Sequence, residues 1–388
     1  MGGDQAAWGA IGAGALLLGG TALHAGVLVR VARSWARRVG FVDRPNVRKF
    51  HREPTPYGGG LAIWAAVWSV VGAGLVCAAG VERGAPAWIP PELARHAAGV
   101  VSRVGQLGVI FAGSVVLLVV GYVDDRRGMG PLAKLVAQLV VALGVALGGV
   151  RVTGFLPWPA LHVLVTVAWI VVVTNALNLL DNMDGLSSGV AAIATLALTL
   201  AALASGQWFV AAFGLVLAGA LLGFLWHNFP PATIFMGDTG SLNVGYLLAV
   251  LTIQGTYYAP SAGAGPLGGA HAVLLPLVVL AIPLFDTTSV ILLRLRLGKP
   301  IYIGDTNHVS HRLVRMGMSP RRAVLSIYLM SLCTGIGAVL LPRVDGQGAC
   351  LVGLQVLLML LLVAQLEGEA RRHREAEEAS DPRSEAPR

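Results

Sequence analysis

Long apolar runs alternate with short polar segments along nearly the whole chain. A membrane-spanning helix needs about 20 mostly apolar residues, and eleven runs approach or reach that length. They lie at about 7–29, 59–80, 104–123, 131–150, 159–180, 186–204, 207–226, 241–258, 271–293, 323–341 and 348–366. The strict alternation of a membrane β-barrel is absent from the sequence. The pattern therefore predicts an all-α integral membrane protein, a polytopic bundle of about 11 transmembrane helices.

Details at both ends of the chain and in the ninth run refine this picture. No basic residue precedes the first span, which favours a retained anchor over a cleaved signal peptide. The ninth span contains Pro276 and Pro283, and we expect it to be kinked or broken because proline disrupts the helical hydrogen bonds. Residues 367–388 form a polar tail, predicted to extend the last helix, to fray and to carry no chemistry.

The amino-acid composition supports a membrane protein, and the distribution of charge argues against nucleic acid as a partner. The 388 residues are 55% hydrophobic and 12% charged, with a mean hydropathy of +0.72, whereas a soluble domain carries about 25% charged residues. A net charge of +8 could indicate a protein that binds nucleic acid. The basic residues, however, cluster between spans one and two and between spans nine and ten. The positive-inside rule places both segments in the cytoplasm. An odd number of spans then puts the N-terminus outside and the C-terminus in the cytoplasm.

The three cysteines carry no sign of a metal or redox site. Cys77, Cys333 and Cys350 lie in or beside predicted spans, without the spacing that either kind of site requires. We therefore interpret them as small hydrophobic residues of the core.

The polar motifs fall on one side of the predicted membrane. The outer connections are bland in composition, whereas every cytoplasmic connection carries a dense polar motif. These motifs lie at 48–60, 124–134, 175–185, 228–241 and 305–312. Polar turns without a function would be scattered over both faces. The distribution predicts one functional site at the cytoplasmic boundary.

The motif at 175–185 places two amides and two carboxylates at the end of an apolar run. Asn175, Asn178, Asp181 and Asp184 follow one another at intervals of three residues, so a helix keeps them near one face. Acidic groups at a membrane boundary are costly unless they meet a cation, a partner or water. A polar turn that ends a helix, with Gly185 as its C-cap, is the alternative interpretation.

Two further acidic motifs are predicted at the same depth. Asp124 and Asp125 close the third span, and adjacent carboxylates repel unless a cation lies beside them. Their oxygens are suitable ligands for Mg²⁺. The alternative interpretation is that the two acids lie in a solvated loop near a helix N-terminus. Gly237 and Gly240 flank Asp238, which lets a ligand approach the backbone closely at the start of span eight. A glycine turn with an N-capping acid explains the same residues.

The ninth span and the segment after it add one acid and a histidine motif. Asp286 lies in the cytoplasmic half of the span, where it could pair with an arginine or contact a substrate. His308 and His311 are three residues apart and precede Arg312, which gives donors suited to phosphate oxygens. Zinc is disfavoured because no cysteine is near and the surrounding acids favour a hard ion.

Together these motifs suit a substrate that is phosphorylated at one end and lipid at the other, since phosphoryl transfer needs positioned charges and metal clamps. The chain resembles the polyprenyl-phosphate N-acetylhexosamine-1-phosphate transferases, in particular the undecaprenyl-phosphate GlcNAc-1-phosphate branch. The likeness covers about 45–320. It rests on Arg48-Lys49-x-His51 with Pro56-x-Gly58-Gly59, Asp124-Asp125, Lys134 with Gln138, the 175–185 motif, Phe235-Met236-Gly237-Asp238-x-Gly240-Ser241, Pro283-x-x-Asp286 and the histidine motif.

The resemblance implies a reaction and its partners. N-acetylhexosamine 1-phosphate, with GlcNAc as the first choice of sugar, would pass from a UDP-sugar to undecaprenyl phosphate. UMP would be released, Mg²⁺ would be required with Mn²⁺ as a substitute, and the product would initiate a cell-envelope glycopolymer. Residues 1–366 would form one catalytic domain in the bacterial cytoplasmic membrane, with the active site facing the cytoplasm. A homodimer is left open, because no residue pattern shows an interface.

The resemblance also assigns roles to residues. Asp124, Asp125 and Asp238 would hold the metal and perform catalysis, together with the catalytic residues His308 and His311. The substrate-binding residues would be Lys49, Lys134, Asn178, Asp181, Asp184, Asn228, Asp286 and Arg312, with Asp184 and Asn228 toward the uridine. We favour direct attack of the lipid phosphate on the β-phosphorus, with Asp124 or Asp125 orienting or deprotonating it. A covalent aspartyl-phosphate route is chemically allowed.

One position departs from the family pattern. The GlcNAc branch usually carries His-x-His-His-Arg at the last motif, whereas Ser310 replaces the middle histidine here. Serine can donate a hydrogen bond but carries no charge, so the departure bears on the identity of the donor sugar. The phospho-MurNAc-pentapeptide branch looks less similar, because it carries a run of consecutive histidines at this motif, and its reaction is kept as the alternative to GlcNAc 1-phosphate transfer. Ion-coupled transport and a non-catalytic scaffold are alternatives from other classes.

Overall fold

The fold is that of a computed structural model of the chain. It describes residues 2–43, 54–84, 94, 96–153, 158–257, 273–301 and 307–380.

Helices make up nearly all of the described chain. The first seven are α1 (Gly2–Arg38), α2 (Gly59–Arg83), α3 (Ala97–Val101), α4 (Val104–Arg127), α5 (Pro131–Leu147), α6 (Pro159–Leu180) and α7 (Leu186–Ala204). The rest are α8 (Trp208–Asn228), α9 (Gly237–Tyr257), α10 (Leu274–Val279), α11 (Ala281–Arg296), α12 (Val309–Arg315), α13 (Pro320–Leu340) and α14 (Gly346–Ser380), with a 3₁₀ turn at Leu341–Arg343. The expectation of an all-α protein is confirmed.

Eight of the described helices are long and apolar enough to cross a membrane. They are α1, α2, α4, α6, α7, α8, α13 and α14. The other three predicted spans coincide with α5, with α9 and with the pair α10 and α11. The chain is therefore a polytopic helical membrane protein, and each predicted run forms a helix or a helix pair.

The ninth predicted span is broken, as its prolines indicated. Helix α10 ends at Val279 and α11 begins at Ala281. Pro283 cannot donate to the carbonyl of Val279, and its ring clashes with that carbonyl in a continuous helix. Asp286 lies on α11, after the break.

Among the described residues, one short two-stranded sheet lies next to the acidic motifs. Strand β1 (Val42–Asp43) pairs antiparallel with β2 (Thr55–Pro56). The chain beyond β2 then follows the segment before α9, because Phe235 N donates to Pro56 O at 2.9 Å and Gly59 N donates to Phe235 O at 3.0 Å. This backbone pairing fixes the start of α2 against the start of α9.

Helix α9 lies at the centre of the bundle. Nearly all of its residues are buried, and it packs against α2, α4, α6 and α7. Glycine allows two of these neighbours to approach its first turn. A Cβ on Gly121 of α4 would lie 2.5 Å from the carbonyl oxygen of Asp238, and one on Gly60 of α2 would lie 2.2 Å from Gly240 N. Close approach at Gly121 brings Asp124 and Asp125 beside Asp238.

Two sequence-based expectations need correction. The cysteines are not core residues, since Cys77, Cys333 and Cys350 are all exposed; a small apolar side chain on a lipid-facing helix surface needs no protein partner. The tail does extend the last helix, because α14 continues to Ser380. The tail nevertheless contacts a polar motif, because Glu367 pairs with Arg312.

Candidate active site

Asp125 holds the first turn of α9. Its two carboxylate oxygens accept from Asp238 N at 2.8 Å, from Thr239 N at 3.0 Å and from Thr239 Oγ1 at 2.5 Å. These amides are among the unpaired donors at a helix N-terminus, where negative charge is favourable. Gly237 precedes them with φ of 68°, and a Cβ there would lie 2.5 Å from Asp125 Oδ2. The glycine before Asp238 is therefore required by the approach of Asp125.

Lys134 joins the other two carboxylates. Its Nζ lies 3.1 Å from Asp124 Oδ2 and 2.8 Å from Asp238 Oδ2. The remaining oxygen of each acid also has a donor: Met129 N donates to Asp124 Oδ1 at 2.5 Å, and Asn178 Nδ2 donates to Asp238 Oδ1 at 3.0 Å. Charged hydrogen bonds of this kind fix the side chains in place. Side chains of helices α4, α5, α6 and α9 thus meet in a single cluster.

Asp181 completes the cluster without a donor of its own. It follows the last turn of α6, and no hydrogen bond to its carboxyl group comes from the residues that the structure describes. Burial raises the pKa of Asp181 well above its usual range, and the nearby Asp238, Asp125 and Asp184 carboxylates act in the same direction. We name Asp124, Asp125, Asp181 and Asp238, with Lys134 and Asn178, the carboxylate centre. Among its residues the centre contains four carboxyl groups and one ammonium group, and that ammonium contacts Asp124 and Asp238.

Asp184 and Asn228, expected near the uridine, connect two loops. Asn228 is 3% exposed, and its Oδ1 accepts from Gly185 N at 3.0 Å while its Nδ2 donates to Ile234 O at 2.9 Å. Asp184 Oδ2 accepts from Ala232 N at 2.9 Å. These contacts hold residues 181–185, which we name the acidic loop, against the segment between α8 and α9.

The histidine motif forms a second polar group around α12. We name α12, together with His308 directly before it, the histidine helix. Asp286 Oδ2 lies 2.7 Å from His308 Nδ1, and Asp286 Oδ1 accepts from Val309 N at 2.6 Å. Both side chains are buried. Asp286 thus has the predicted structural pairing, but the partner is a histidine in place of the expected arginine.

Arg312 and His311 lie on the same short helix. Arg312 Nη2 donates to Ser289 Oγ at 2.9 Å, and Arg312 Nε lies 3.1 Å from Glu367 Oε1. The ring centroids of His308 and His311 are 6.3 Å apart. The histidine helix is therefore fixed to α11 and to α14.

The structure brings most predicted site residues into these two groups. Asp124, Asp125, Asp238, Lys134, Asn178 and Asp181 form the carboxylate centre, and Asp286, His308, His311 and Arg312 meet at the histidine helix. Ser310 joins the two groups, because its Oγ donates to Asn182 Oδ1 in the acidic loop at 2.6 Å. Lys49, with Arg48, His51 and Asp305, lies outside the described residues.

Three residues at the site did not follow from the sequence. Tyr57 hydrogen-bonds Asp43, and burial, Asp43 and Asp125 raise the pKa of its phenol above its usual range. Glu367 and Asn182 are the other two. Asn182 is out of phase with the spacing of the motif, and Glu367 is far away in the chain. Their only sequence signal is a polar group at a predicted membrane boundary.

The oxygen atoms of the carboxylate centre are candidate ligands for a divalent cation. The described residues include no group of three or more side chains already arranged around a metal position, and Lys134 Nζ lies between two of the carboxylates. Oxygen donors and excess negative charge nevertheless match the preferences of Mg²⁺. By the chemistry of their donors, these residues fit such an ion.

The chain is similar to one known protein family and to several known proteins. The model of glycosyl transferase family 4 matches residues 107–256, which contain the whole carboxylate centre. A probable undecaprenyl-phosphate N-acetylglucosaminyl 1-phosphate transferase of Bacillus subtilis is 31% identical over 352 residues, 88% of each chain. A decaprenyl-phosphate N-acetylglucosaminephosphotransferase of Mycolicibacterium smegmatis is 32% identical, covering 88% of this chain and 86% of its own. An undecaprenyl-phosphate alpha-N-acetylglucosaminyl 1-phosphate transferase of Yersinia pestis is 26% identical, covering 87% and 85%.

Proposed function

Because the chain belongs to glycosyl transferase family 4, together with relatives that act on undecaprenyl or decaprenyl phosphate, we propose that it transfers GlcNAc 1-phosphate to a polyprenyl phosphate. The observation that carries this proposal is the carboxylate centre itself, in which four carboxyl groups lie together at one end of the membrane helices and only two of them contact the ammonium of Lys134. Such a site suits the binding and transfer of phosphate through cations. The relatives' names favour this activity over phospho-MurNAc-pentapeptide transfer and over transport.

The donor that we propose is UDP-GlcNAc and the acceptor is undecaprenyl phosphate. An oxygen of the lipid phosphate forms a bond with the β-phosphorus of the donor, and the bond from that phosphorus to the oxygen bridging to the α-phosphate breaks. UMP leaves with that oxygen, and undecaprenyl-diphosphate-GlcNAc is formed. This product would initiate a cell-envelope glycopolymer.

A divalent cation, Mg²⁺ or Mn²⁺, is part of the proposal. Asp238 and Asp124 would hold it, with Asp125 beside them, and when bound it would offset the charge of the diphosphate. Lys134 would then turn from the carboxylates toward a phosphate oxygen. Asn178 keeps Asp238 oriented throughout, since its amide donates to the oxygen that Lys134 does not contact.

The contacts at Asp124 and Asp125 support direct attack by the lipid phosphate. Both oxygens of each carboxylate already accept hydrogen bonds or contact Lys134, so neither is poised to attack phosphorus. The second pKa of a phosphate monoester is about 6, so at neutral pH the acceptor is mostly dianionic and needs little help from a base. Asp124, which has the ammonium as its partner, is positioned to orient it.

We also propose eleven spans with the N-terminus outside and the C-terminus in the cytoplasm, in a bacterial cytoplasmic membrane. The support is the match of each predicted run to a helix or helix pair and the arginines at the end of α1. Strand β1 follows that end directly and pairs with β2, whose Pro56 contacts Phe235. The carboxylate centre therefore lies at the arginine-rich end of the bundle, which the positive-inside rule assigns to the cytoplasm.

The activity is tested by UMP release from purified protein with undecaprenyl phosphate and Mg²⁺. UDP-GlcNAc, UDP-GalNAc and UDP-MurNAc-pentapeptide are offered separately, and Asp238→Asn is compared with Asp345→Asn, an exposed acid before α14. We expect lipid-dependent release with UDP-GlcNAc, a loss of about 10³-fold in Asp238→Asn and no change in Asp345→Asn. Absence of release with every donor from folded protein would refute the proposal.

A further inference from the structure

Ser310 is the position where the histidine motif departs from the family pattern, and the structure gives it a defined partner. Its side chain is 1% exposed, and its Oγ donates to Asn182 Oδ1 at 2.6 Å. Asn182 Nδ2 donates in turn to the carbonyl of Leu179 at 2.8 Å, in the last turn of α6. A chain of two hydrogen bonds therefore connects the histidine helix to the end of α6, next to Asp181.

The other contacts of the histidine helix lead in different directions. Asp286 holds its first residues from α11, and Arg312 contacts Ser289 of α11 and Glu367 of α14. The Ser310 hydroxyl, by contrast, contacts the acidic loop. Among these contacts, the hydroxyl of Ser310 is the one that connects the histidine helix to the acidic loop.

We propose that Ser310 and Asn182 are a size-matched pair of positioning residues, which docks His308, His311 and Arg312 against the acidic loop. The inference rests on the proposed function in one respect, namely that the docked groups act on the phosphates of the donor. Neither member of the pair needs to touch the substrate. The pair acts through the residues that it places.

Side-chain volume separates Ser310 from the histidine of the family pattern. The Ser310 side chain is almost fully buried and faces Asn182. An imidazole in the same place would displace Asn182 or move the histidine helix away from the acidic loop, because tightly packed sites tolerate added volume poorly. The serine is therefore accommodated by its partner, and restoring the histidine alone would be harmful.

A double-mutant cycle tests the hydrogen bond. The variants are Ser310→Ala, Asn182→Ala and the double variant, measured by kcat and by KM for UDP-GlcNAc. Loss of the shared hydrogen bond predicts a decrease of about five- to tenfold in kcat/KM for Ser310→Ala, and at least as large a decrease for Asn182→Ala, which also loses its bond to Leu179 O. The double variant should lose no more than the worse single one, because both remove the same contact. Losses that simply multiply would contradict the pair.

Hydrogen exchange gives a readout that does not depend on activity. Backbone amides at 309–315 should exchange faster in Ser310→Ala, because one attachment of the histidine helix is lost. Ser331→Ala is the matched control, since Ser331 is a buried serine on α13 whose Oγ donates to Ile327 O of its own helix. This control should leave both exchange at 309–315 and turnover unchanged. Equal exchange in Ser310→Ala and wild type would overturn the proposal.

The size match is tested by Ser310→His with and without Asn182→Ala. We expect Ser310→His to lose about 100-fold in kcat/KM, and the double variant to recover at least tenfold of this loss because the imidazole then has room. Full activity of Ser310→His, or no recovery, would overturn the size match. The two proposals fail separately: an inactive wild type refutes the transferase, whereas an active wild type with unaffected Ser310→Ala refutes the pair.

Discussion

The carboxylate centre and the histidine helix are both polar groups at the membrane boundary, yet their charges are balanced differently. In the carboxylate centre, Lys134 contacts only Asp124 and Asp238 of the four carboxyl groups, and Asp181 has no donor among the described residues. At the histidine helix, Asp286 pairs with His308 and Glu367 pairs with Arg312. Excess charge of one sign is costly to maintain without a ligand, whereas paired charges are stable alone.

This difference indicates a division of labour. A group with unbalanced negative charge is suited to receive a cation and the phosphates that accompany it. A group whose charges are already paired is suited to hold side chains in one orientation. We therefore expect substitutions in the carboxylate centre to remove activity and to change the response to Mg²⁺, and substitutions at the histidine helix to have smaller effects through positioning.

The sharpest test removes the one cation of the carboxylate centre. Lys134→Met should lower kcat/KM by about 10²–10³-fold, and in EDTA it should lower the apparent Tm because the carboxylates lose their ammonium partner. Mg²⁺ should raise the Tm of Lys134→Met more than that of wild type. Thermal scans with and without Mg²⁺ measure this, and Lys299→Met, at an exposed lysine, is the control. An unchanged Tm in EDTA would contradict the charge imbalance.

The next largest effect is expected where a buried carboxylate orients a histidine. Asp286→Asn puts an amide in place of the oxygen that faces His308 Nδ1, and we expect kcat to fall about 10–100-fold and stability to fall by about 1–3 kcal/mol. Turnover and urea unfolding report the two effects. Thr287→Val is the matched control, because the buried hydroxyl of Thr287 has no partner in the described part of the chain. A larger loss than in Lys134→Met would reverse the comparison.

A smaller effect is expected at the ion pair from the last helix. Glu367→Gln keeps the shape of the side chain but removes its charge, while Arg312 retains Ser289 as a partner. We expect KM for the donor to rise about two- to fivefold with kcat nearly unchanged, the range for a partly exposed ion pair. Steady-state kinetics measure this beside Glu369→Gln, an exposed acid on the same helix. A fall in kcat without a change in KM would assign Glu367 another role.

The smallest effect concerns pH. Burial and neighbouring carboxylates raise the pKa of Asp181 in the folded protein. The stability that Asp181 contributes is therefore fully present below its unfolded pKa of about 3.9. This stability is lost as pH rises through the folded pKa. Asp181→Asn removes this loss. Its apparent Tm without Mg²⁺ should match that of wild type near pH 4 and exceed it by a few degrees at about pH 8. A constant difference across that range would contradict the shift.

Much of the site could be predicted because its residues follow one another at helical spacing or border apolar runs. The acids at 124–125, 181, 184 and 238 were all expected at one depth, and they do converge except that Asp184 binds Ala232 in the loop. The break in the ninth span followed from Pro283. The partners of Arg312 and Ser310 could not be predicted, because Glu367 and Asn182 are respectively 55 and 128 residues away in the chain.

The sequence by itself determined the class of the protein, the helices and the boundary at which the chemistry lies, because apolar length and charge distribution are local properties of the chain. Only the tertiary structure decided which charges are paired. Close helix contacts at Gly60 and Gly121 bring α2 and α4 against the first turn of α9, and this approach places Asp125 on the α9 amides and Lys134 between Asp124 and Asp238. Pairing depends on distances of a few ångströms between separate helices, which no local pattern encodes.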